Sequence, residues 1–174
     1  CSVVGCLACL ADYTKCTSCS VITQYFLSGQ TCIHINNIPD GSGPNYGTGQ
    51  VEPCQVQHCL TCEVESKTCT ECDHASLYYL YQGNCPYTTN ILDYLGPSLV
   101  TNAVVECDDD NCIKCKASHL LCTGCDTDSG FYVNPANYKC VHVLAFPLGY
   151  GANGANGLMR TCNDTNCKIC ASDY

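Results

Sequence analysis

The chain has 174 residues, of which 21 are cysteine, and its formal net charge is −9, from 16 acidic and 7 basic residues. This balance argues against nucleic acid as a partner, because nucleic-acid binding needs a positive footprint. Cysteine at this density is typical of an oxidising environment, so we expect a secreted or cell-surface protein. The other apolar residues are a thin supply for a hydrophobic core, a shortage that disulfides usually remedy.

The cysteines follow a repeating pattern. From Cys54 to Cys85, six cysteines are separated by four, two, six, two and twelve residues. The same block begins at Cys1, returns at Cys107 with the last gap lengthened to fourteen, and starts once more at Cys162. A spacer of 21 residues without cysteine follows each complete block. Such self-similarity indicates tandem repeats. We assign three repeats with spacers to residues 1–53, 54–106 and 107–161, and the truncated start of a fourth to 162–174.

Each complete block ends in a predicted β-hairpin. After its fifth cysteine comes an aromatic–aliphatic run, then turn-forming residues, then the sixth cysteine; the runs are Tyr25-Phe26-Leu27, Tyr78-Tyr79-Leu80 and Phe131-Tyr132-Val133. Runs of this kind before a turn are typical of hairpins. Helical signals are nearly absent. We therefore expect an all-β, disulfide-rich, elongated tandem array of small β-hairpin modules.

The spacers keep their length but not their sequence. All three have glycine at the eleventh position, Gly43, Gly96 and Gly151, and proline follows the first two. A disordered linker would not hold one length three times. We interpret each spacer as an ordered, extended connector that begins with β-prone residues and bends near its glycine.

The Cys-x-x-Cys pairs allow three interpretations. A redox motif needs a reactive thiolate at a helix N-terminus, and seven pairs without helical context do not favour it. Paired knuckles such as Cys6/Cys9 and Cys16/Cys19 supply four zinc ligands, but six residues between the pairs is short for that use. We interpret the five histidines, at positions 34, 58, 74, 119 and 142, as not recurring at matching positions, as metal ligands would. We prefer structural disulfides and expect no metal or other cofactor.

Six cysteines allow fifteen pairings per block. Closing a Cys-x-x-Cys pair on itself gives a tight, easily reduced ring, which suits catalysis more than scaffolding. If neighbours do not pair, we favour a staggered scheme: first with third, second with fourth, fifth with sixth. The predicted bonds are Cys1–Cys9, Cys6–Cys16, Cys19–Cys32, Cys54–Cys62, Cys59–Cys69, Cys72–Cys85, Cys107–Cys115, Cys112–Cys122, Cys125–Cys140 and Cys162–Cys170. They leave Cys167 alone, so we expect its partner just downstream in a continuing array.

The double Cys-x-x-Cys, followed by an aromatic run and a closing cysteine, resembles the furin-like, growth-factor-receptor type of cysteine-rich repeat. Large tandem-repeat surface proteins of protists, notably ciliates, look similar. The resemblance implies rods of small disulfide-linked hairpins with the staggered pairing above. It covers the cysteine blocks but not the spacers, and a shared fold does not by itself transfer function.

Two further sites can be proposed from local sequence. Asn163-Asp164-Thr165 is an N-glycosylation sequon, and we expect Asn163 to carry a covalent glycan. The acidic run Asp108-Asp109-Asp110, with Asp126 and Asp128 nearby, could suggest calcium. We favour a solvated loop, because the first two repeats have no acidic run at that position.

No serine, histidine and acid stand in a recognisable catalytic motif, and no apolar stretch is long enough to span a bilayer. We therefore expect no enzymatic activity and no membrane span within this segment. The chain resembles a window cut from a longer array. We expect a structural segment of an extracellular filament, appendage or surface coat, with copies of itself or neighbouring repeats as partners. The alternative is a receptor or surface-antigen ectodomain that binds a soluble partner.

Overall fold

The computed structural model describes residues 1–164 and 166–170. Their regular structure consists of β-strands and short 3-10 helices, so the prediction of an all-β, disulfide-rich array of small hairpin modules is confirmed. The chain divides into two compact units, Cys1–Tyr87 and Thr88–Tyr174, and the division falls inside the second spacer. In the described part of the chain, no helix is long and apolar enough to cross a membrane.

Each cysteine block begins with a short hairpin whose strands start or end at cysteines. In the first block β1 spans Cys6–Cys9 and β2 spans Cys16–Cys19. Antiparallel pairing sets the second cysteine opposite the fifth in every complete block, as in Cys6↔Cys19. We call this element the cysteine hairpin.

The aromatic run forms the second hairpin of the block, as predicted. In the first repeat β3 (Tyr25–Ser28) pairs with β4 (Thr31–His34), and Gly29 lies in the turn with φ of 63°. The second repeat keeps only isolated bridges, one of them Tyr78↔Tyr87. We call this element the aromatic hairpin.

Each spacer forms a third hairpin, whereas the sequence predicts an extended connector with a bend. In the first spacer β5 (Ser42–Asn45) pairs with β6 (Gln50–Pro53). The eleventh-position glycine lies inside the first strand of this spacer hairpin instead of at a bend. A parallel bridge between Leu27 and Gln50 joins the spacer hairpin to the aromatic hairpin in one four-stranded sheet.

The third repeat follows the same plan, whereas in the second the spacer strands form a separate two-stranded sheet and the aromatic hairpin has only isolated bridges. Their strands are β7 (Cys59–Thr61), β8 (Glu71–Cys72), β9 (Leu95–Ser98), β10 (Ala103–Glu106), β11 (Cys112–Lys114), β12 (Gly124–Cys125), β13 (Phe131–Asn134), β14 (Lys139–His142), β15 (Tyr150–Asn153) and β16 (Leu158–Thr161), and β17 (Ile169–Cys170) lies within the fourth block. The 3-10 helices are Val21–Thr23, Ile35–Asn37, His74–Ser76, Thr88–Asn90 and Val143–Ala145.

The core is made largely of cysteine, with one large side chain from each aromatic hairpin. Phe26 is fully buried in the first repeat, Tyr79 is buried in the second, and Val133 takes this place in the third. In the third block Val133 packs with Cys112, Cys115, Cys122 and Cys125 in one cluster. Disulfides thus supply much of the buried surface as well as the cross-links.

Candidate site: the disulfide framework and the repeat junctions

The ten disulfides of the structure are the ten bonds of the staggered scheme. They are Cys1–Cys9, Cys6–Cys16, Cys19–Cys32, Cys54–Cys62, Cys59–Cys69, Cys72–Cys85, Cys107–Cys115, Cys112–Cys122, Cys125–Cys140 and Cys162–Cys170. Cys167 is the one free cysteine among residues 1–164 and 166–170. The bonded cysteines are not the ones that the strands set opposite each other: in the first block Cys6 lies opposite Cys19 but is bonded diagonally to Cys16.

In each block the second and third disulfides lie against each other. The Cys16 and Cys32 sulfurs, which belong to different disulfides, are 3.2 Å apart, and the Cys69 and Cys85 sulfurs are 3.3 Å apart. The third block repeats this contact. These contacts bring three cysteine sulfurs together, a grouping that could otherwise suggest a metal centre. Here every sulfur of the three groups is already bonded to another sulfur, whereas a zinc ligand is a thiolate.

The histidines require a correction. His34 and His142 do occupy matching positions, two residues after the sixth cysteine of their blocks. Each ring packs edge-on against the first aromatic of the hairpin, Tyr25 or Phe131, with centroids 5.1 Å apart. Each Nδ1 also accepts a hydrogen bond from the backbone N–H two residues on. Histidine therefore recurs at this position for a structural reason: it packs on the aromatic ring of the opposite strand and caps the 3-10 helix that follows.

His58 serves the aromatic hairpin differently. It occupies the position before the second cysteine, with φ of 62°, and stacks on Tyr78 at 3.6 Å. The same position in the first block is Gly5, where a Cβ would overlap the Tyr25 ring. The sequence alone suggests a role for neither residue, and the two look unrelated without the fold.

In the acidic run, the carboxylates of Asp108 and Asp109 bind other groups of the protein. The Asp108 carboxylate forms an ion pair of 2.6 Å with Lys139, which holds the pKa of Asp108 below its ordinary value. Asp109 Oδ2 accepts a hydrogen bond of 2.8 Å from the Cys140 N–H, and Oδ1 accepts one from Asn111. Asp109 thus ties the start of the third block to its last cysteine. The carboxylate of Asp126 binds Ser129, which lowers the pKa of Asp126.

These contacts give a prediction for neighbouring aspartates. Asp109→Asn is expected to lower the free energy of unfolding by about 1–2 kcal/mol. The neutral asparagine side chain is a weaker acceptor for the Cys140 and Asn111 N–H groups than the charged carboxylate. Asp110→Asn makes the same charge change at an exposed side chain and should be nearly neutral. Urea denaturation with intact disulfides measures both, and amide exchange at Cys140 should accelerate only in the Asp109 variant. Equal effects of the two substitutions would assign the loss to net charge.

The recurring close contact of the chain lies where each spacer hairpin meets the next block. A Cβ at Gly43 would lie 2.7 Å from the Sγ of Cys62 and nearer still to its carbonyl oxygen. Gly96 has the same relation to Cys115, and Gly151 to Cys170. The glycine is therefore required because the third cysteine of the following block approaches its Cα directly. Cys62, Cys115, Pro44 and Pro97 are fully buried at these contacts.

Backbone hydrogen bonds fix the same contact, which we call the repeat junction. In the first junction Gly41 N–H donates to Leu60 O at 2.8 Å, and Ser66 N–H donates to Pro44 O at 2.8 Å. In the second, Tyr94 N–H donates to Ile113 O and His119 N–H donates to Pro97 O. In the third, Gly149 N–H donates to Lys168 O. In all three junctions, the N–H two residues before the spacer glycine donates to the carbonyl of the residue after the second cysteine of the next block.

A polar residue two positions after the glycine shapes the spacer turn. Asn45 Oδ1 accepts from Gly47 and Thr48 N–H groups, and Asn153 Oδ1 accepts from Ala155 N–H. The turn then closes with a residue at positive φ: Gly49, Asn102 or Gly157. A glycine or asparagine at this shared position is a sequence signal of a hairpin turn, and aligning the spacers on it could have predicted the third hairpin.

The first spacer turn also carries an acid whose ionisation can be tested. Hydrogen bonds from the Asn45 side chain and then Thr48 lower the pKa of Glu52 below its ordinary value of 4.5. Because the pKa of Glu52 is depressed in the folded state, its ionised carboxylate stabilises the hairpin above pH 4.5. This contribution is lost as the pH falls through the folded-state pKa.

We therefore expect acid to accelerate amide exchange at Gly47 and Thr48 beyond its intrinsic pH dependence. Glu52→Gln should remove this extra acid dependence and leave the turn weakened at neutral pH. Glu63→Gln, an exposed acid of the same unit, is the charge-matched control. An unchanged acid dependence in the Glu52 variant would show that another group governs the turn.

Several large apolar side chains of the spacers are exposed. Val100 and Leu144 are 88% and 89% exposed, and Leu99 and Leu148 are also open to solvent. Asn163 is exposed too, and Thr165 of its sequon lies outside the described residues. Comparison of the chain with protein-family models, curated proteins and solved structures found no match. The framework of disulfides is compatible with an oxidising, extracellular location.

Proposed function

We propose that the chain is a structural repeat segment of an extracellular filament, appendage or surface coat, and that it self-associates through its spacers. The observation that carries this proposal is the repeat junction. Each junction sets a spacer glycine on the third cysteine of the next block with corresponding hydrogen bonds. A regular array needs a local junction that is repeated from unit to unit. A binding site for a soluble ligand would instead depend on residues found in one repeat.

The exposed spacer residues supply a surface for contacts between chains. Val100 lies in the turn of the second spacer hairpin, and Leu144 lies in the 3-10 helix of the third spacer. Burying such side chains against a neighbouring chain contributes about 1.5–3 kcal/mol each. A receptor or surface-antigen ectodomain would instead use one distinctive patch, and corresponding surfaces on other repeats would be dispensable.

Sedimentation velocity over a range of concentrations, followed by negative-stain microscopy, tests the proposal. Wild-type chain should form regular assemblies as concentration rises. Val100→Lys with Leu144→Lys should reduce assembly, whereas Ile22→Lys, at a block position that is 97% exposed, should not. A chain that stays monomeric at all concentrations, or one that loses assembly only through Ile22→Lys, would overturn the proposal.

We also propose that Asn163 is glycosylated in the native protein. The side chain is exposed, as an acceptor must be, and the sequon stands between Cys162 and Cys167. Amidase deglycosylation should convert Asn163 to aspartate, a gain of about one mass unit in the peptide that contains it. Recovery of the unmodified peptide alone from the native source would contradict the proposal.

A further inference from the structure

The first block carries the surface that spacer hairpins cover on later blocks. By position in the block, Leu7 corresponds to Leu60, Cys9 to Cys62, and Tyr13 to Ser66. Cys9 is partly exposed, whereas Cys62 is fully buried. Tyr13 is 72% exposed, whereas Ser66 is 0% exposed. We call the set Leu7, Cys9 and Tyr13 the acceptor face.

The hydrogen-bonding groups of this face are also unoccupied. The Ser66 N–H donates to Pro44 O across the first junction, but the Tyr13 N–H has no acceptor among residues 1–164 and 166–170. The Leu60 carbonyl accepts from Gly41 N–H, and the Leu7 carbonyl receives no corresponding bond from a spacer hairpin. The missing contacts are those that a hairpin supplies elsewhere.

The acceptor face is formed although no residue among 1–164 and 166–170 covers it as a spacer hairpin covers later blocks. The Ser2 N–H donates to Tyr13 O at 2.9 Å, and the matching bond in the second block, from Gln55 to Ser66, is 2.7 Å. In the antiparallel strand register Cys6 lies opposite Cys19, as Cys59 lies opposite Cys72 in the second block. Because these bonds match those of a covered block, a hairpin would bind the face with little reorganisation of the block.

We propose that the acceptor face binds a spacer-type β-hairpin from another repeat unit. The hairpin would place its glycine on Cys9, donate the backbone N–H two residues earlier to Leu7 O, and accept the Tyr13 N–H at the carbonyl that follows the glycine. These are the contacts of Gly43, Gly41 and Pro44 at the first junction. The described spacer hairpins of the chain each cover their own following block, so the occupant comes from a further repeat. This inference concerns binding at one face and does not depend on filament assembly.

The test extends the full chain at its N-terminus with a second copy of residues 1–53. That copy sets a spacer directly before Cys1, as residues 33–53 stand before Cys54. Val4→Ile at an exposed position of the added copy labels it by mass. Reduction by limiting thiol, alkylation and mass spectrometry then give the reduction rate of the original Cys1–Cys9 bond, with Cys54–Cys62 as internal reference.

We expect the extension to slow reduction of the original Cys1–Cys9 bond at least about tenfold, toward the rate of Cys54–Cys62, because covered bonds react only after local opening. Amide exchange at Tyr13 should slow in parallel. Gly43→Val in the added copy alone should abolish both effects, and the Cys19–Cys32 bond of that copy reports whether it has folded. Equal Cys1–Cys9 rates with and without the extension would overturn the proposal, as would equal protection by the Gly43→Val copy.

Discussion

Gly43→Ala is expected to lower the free energy of unfolding of the first repeat junction by about 3 kcal/mol. The added methyl group would overlap the carbonyl oxygen and Sγ of Cys62. Neither atom can move away easily, because Cys62 directly follows β7 (Cys59–Thr61) and its sulfur belongs to the Cys54–Cys62 disulfide. The spacer must therefore shift away from the block, which weakens the hydrogen bond from Ser66 to Pro44.

A glycine of the same kind of hairpin supplies the control. Gly154 lies in the turn of the third spacer hairpin with open space around it and no positive φ. Gly154→Ala should range from neutral to about 1 kcal/mol stabilising, because alanine restricts the unfolded chain. Urea denaturation with intact disulfides gives both values, and amide exchange at Ser66 localises the loss. Similar costs for Gly43→Ala and Gly154→Ala would show that the close approach to Cys62 does not govern the glycine.

The cysteine spacing determines much of this fold, and the sequence makes that visible. Recurrence of the block identifies the repeats, and the aromatic run before a turn identifies the second hairpin of each. These features are predictable because they depend on residues within a few positions of one another. The staggered bonds likewise join residues of a single block, over separations of 8 to 15 positions.

The role of the spacer glycine could not be predicted in the same way. The sequence predicts a bend at Gly43 and Pro44, since glycine and proline commonly mark turns. The structure places them in a strand, where the glycine is required by Cys62 from the following block. That contact joins different repeats, so no local pattern reveals it. Asp109 is similar, because its partner, the Cys140 N–H, lies 31 positions away.

Removing the Cys54–Cys62 bond should cost more stability than removing Cys1–Cys9, although the two bonds have the same sequence separation of 8. For this loop length the chain-entropy model assigns each bond about 2.5 kcal/mol. The difference must then come from the folded state. Cys62 is 0% exposed beneath the first spacer hairpin, whereas Cys9 lies partly exposed.

We expect Cys1→Ala/Cys9→Ala to cost about 2.5 kcal/mol. Cys54→Ala/Cys62→Ala should cost about 4 kcal/mol, because it also removes buried sulfur atoms from the junction and leaves a cavity beside Gly43 and Pro44. Denaturation of the two double variants, with the other disulfides verified by peptide mapping, measures the difference. Equal costs would mean that the bonds act only on the unfolded chain and that the covering hairpin adds nothing. A larger cost for Cys54–Cys62 would show instead that its disulfide helps to join one repeat to the next, since the hairpin that covers it belongs to the preceding repeat.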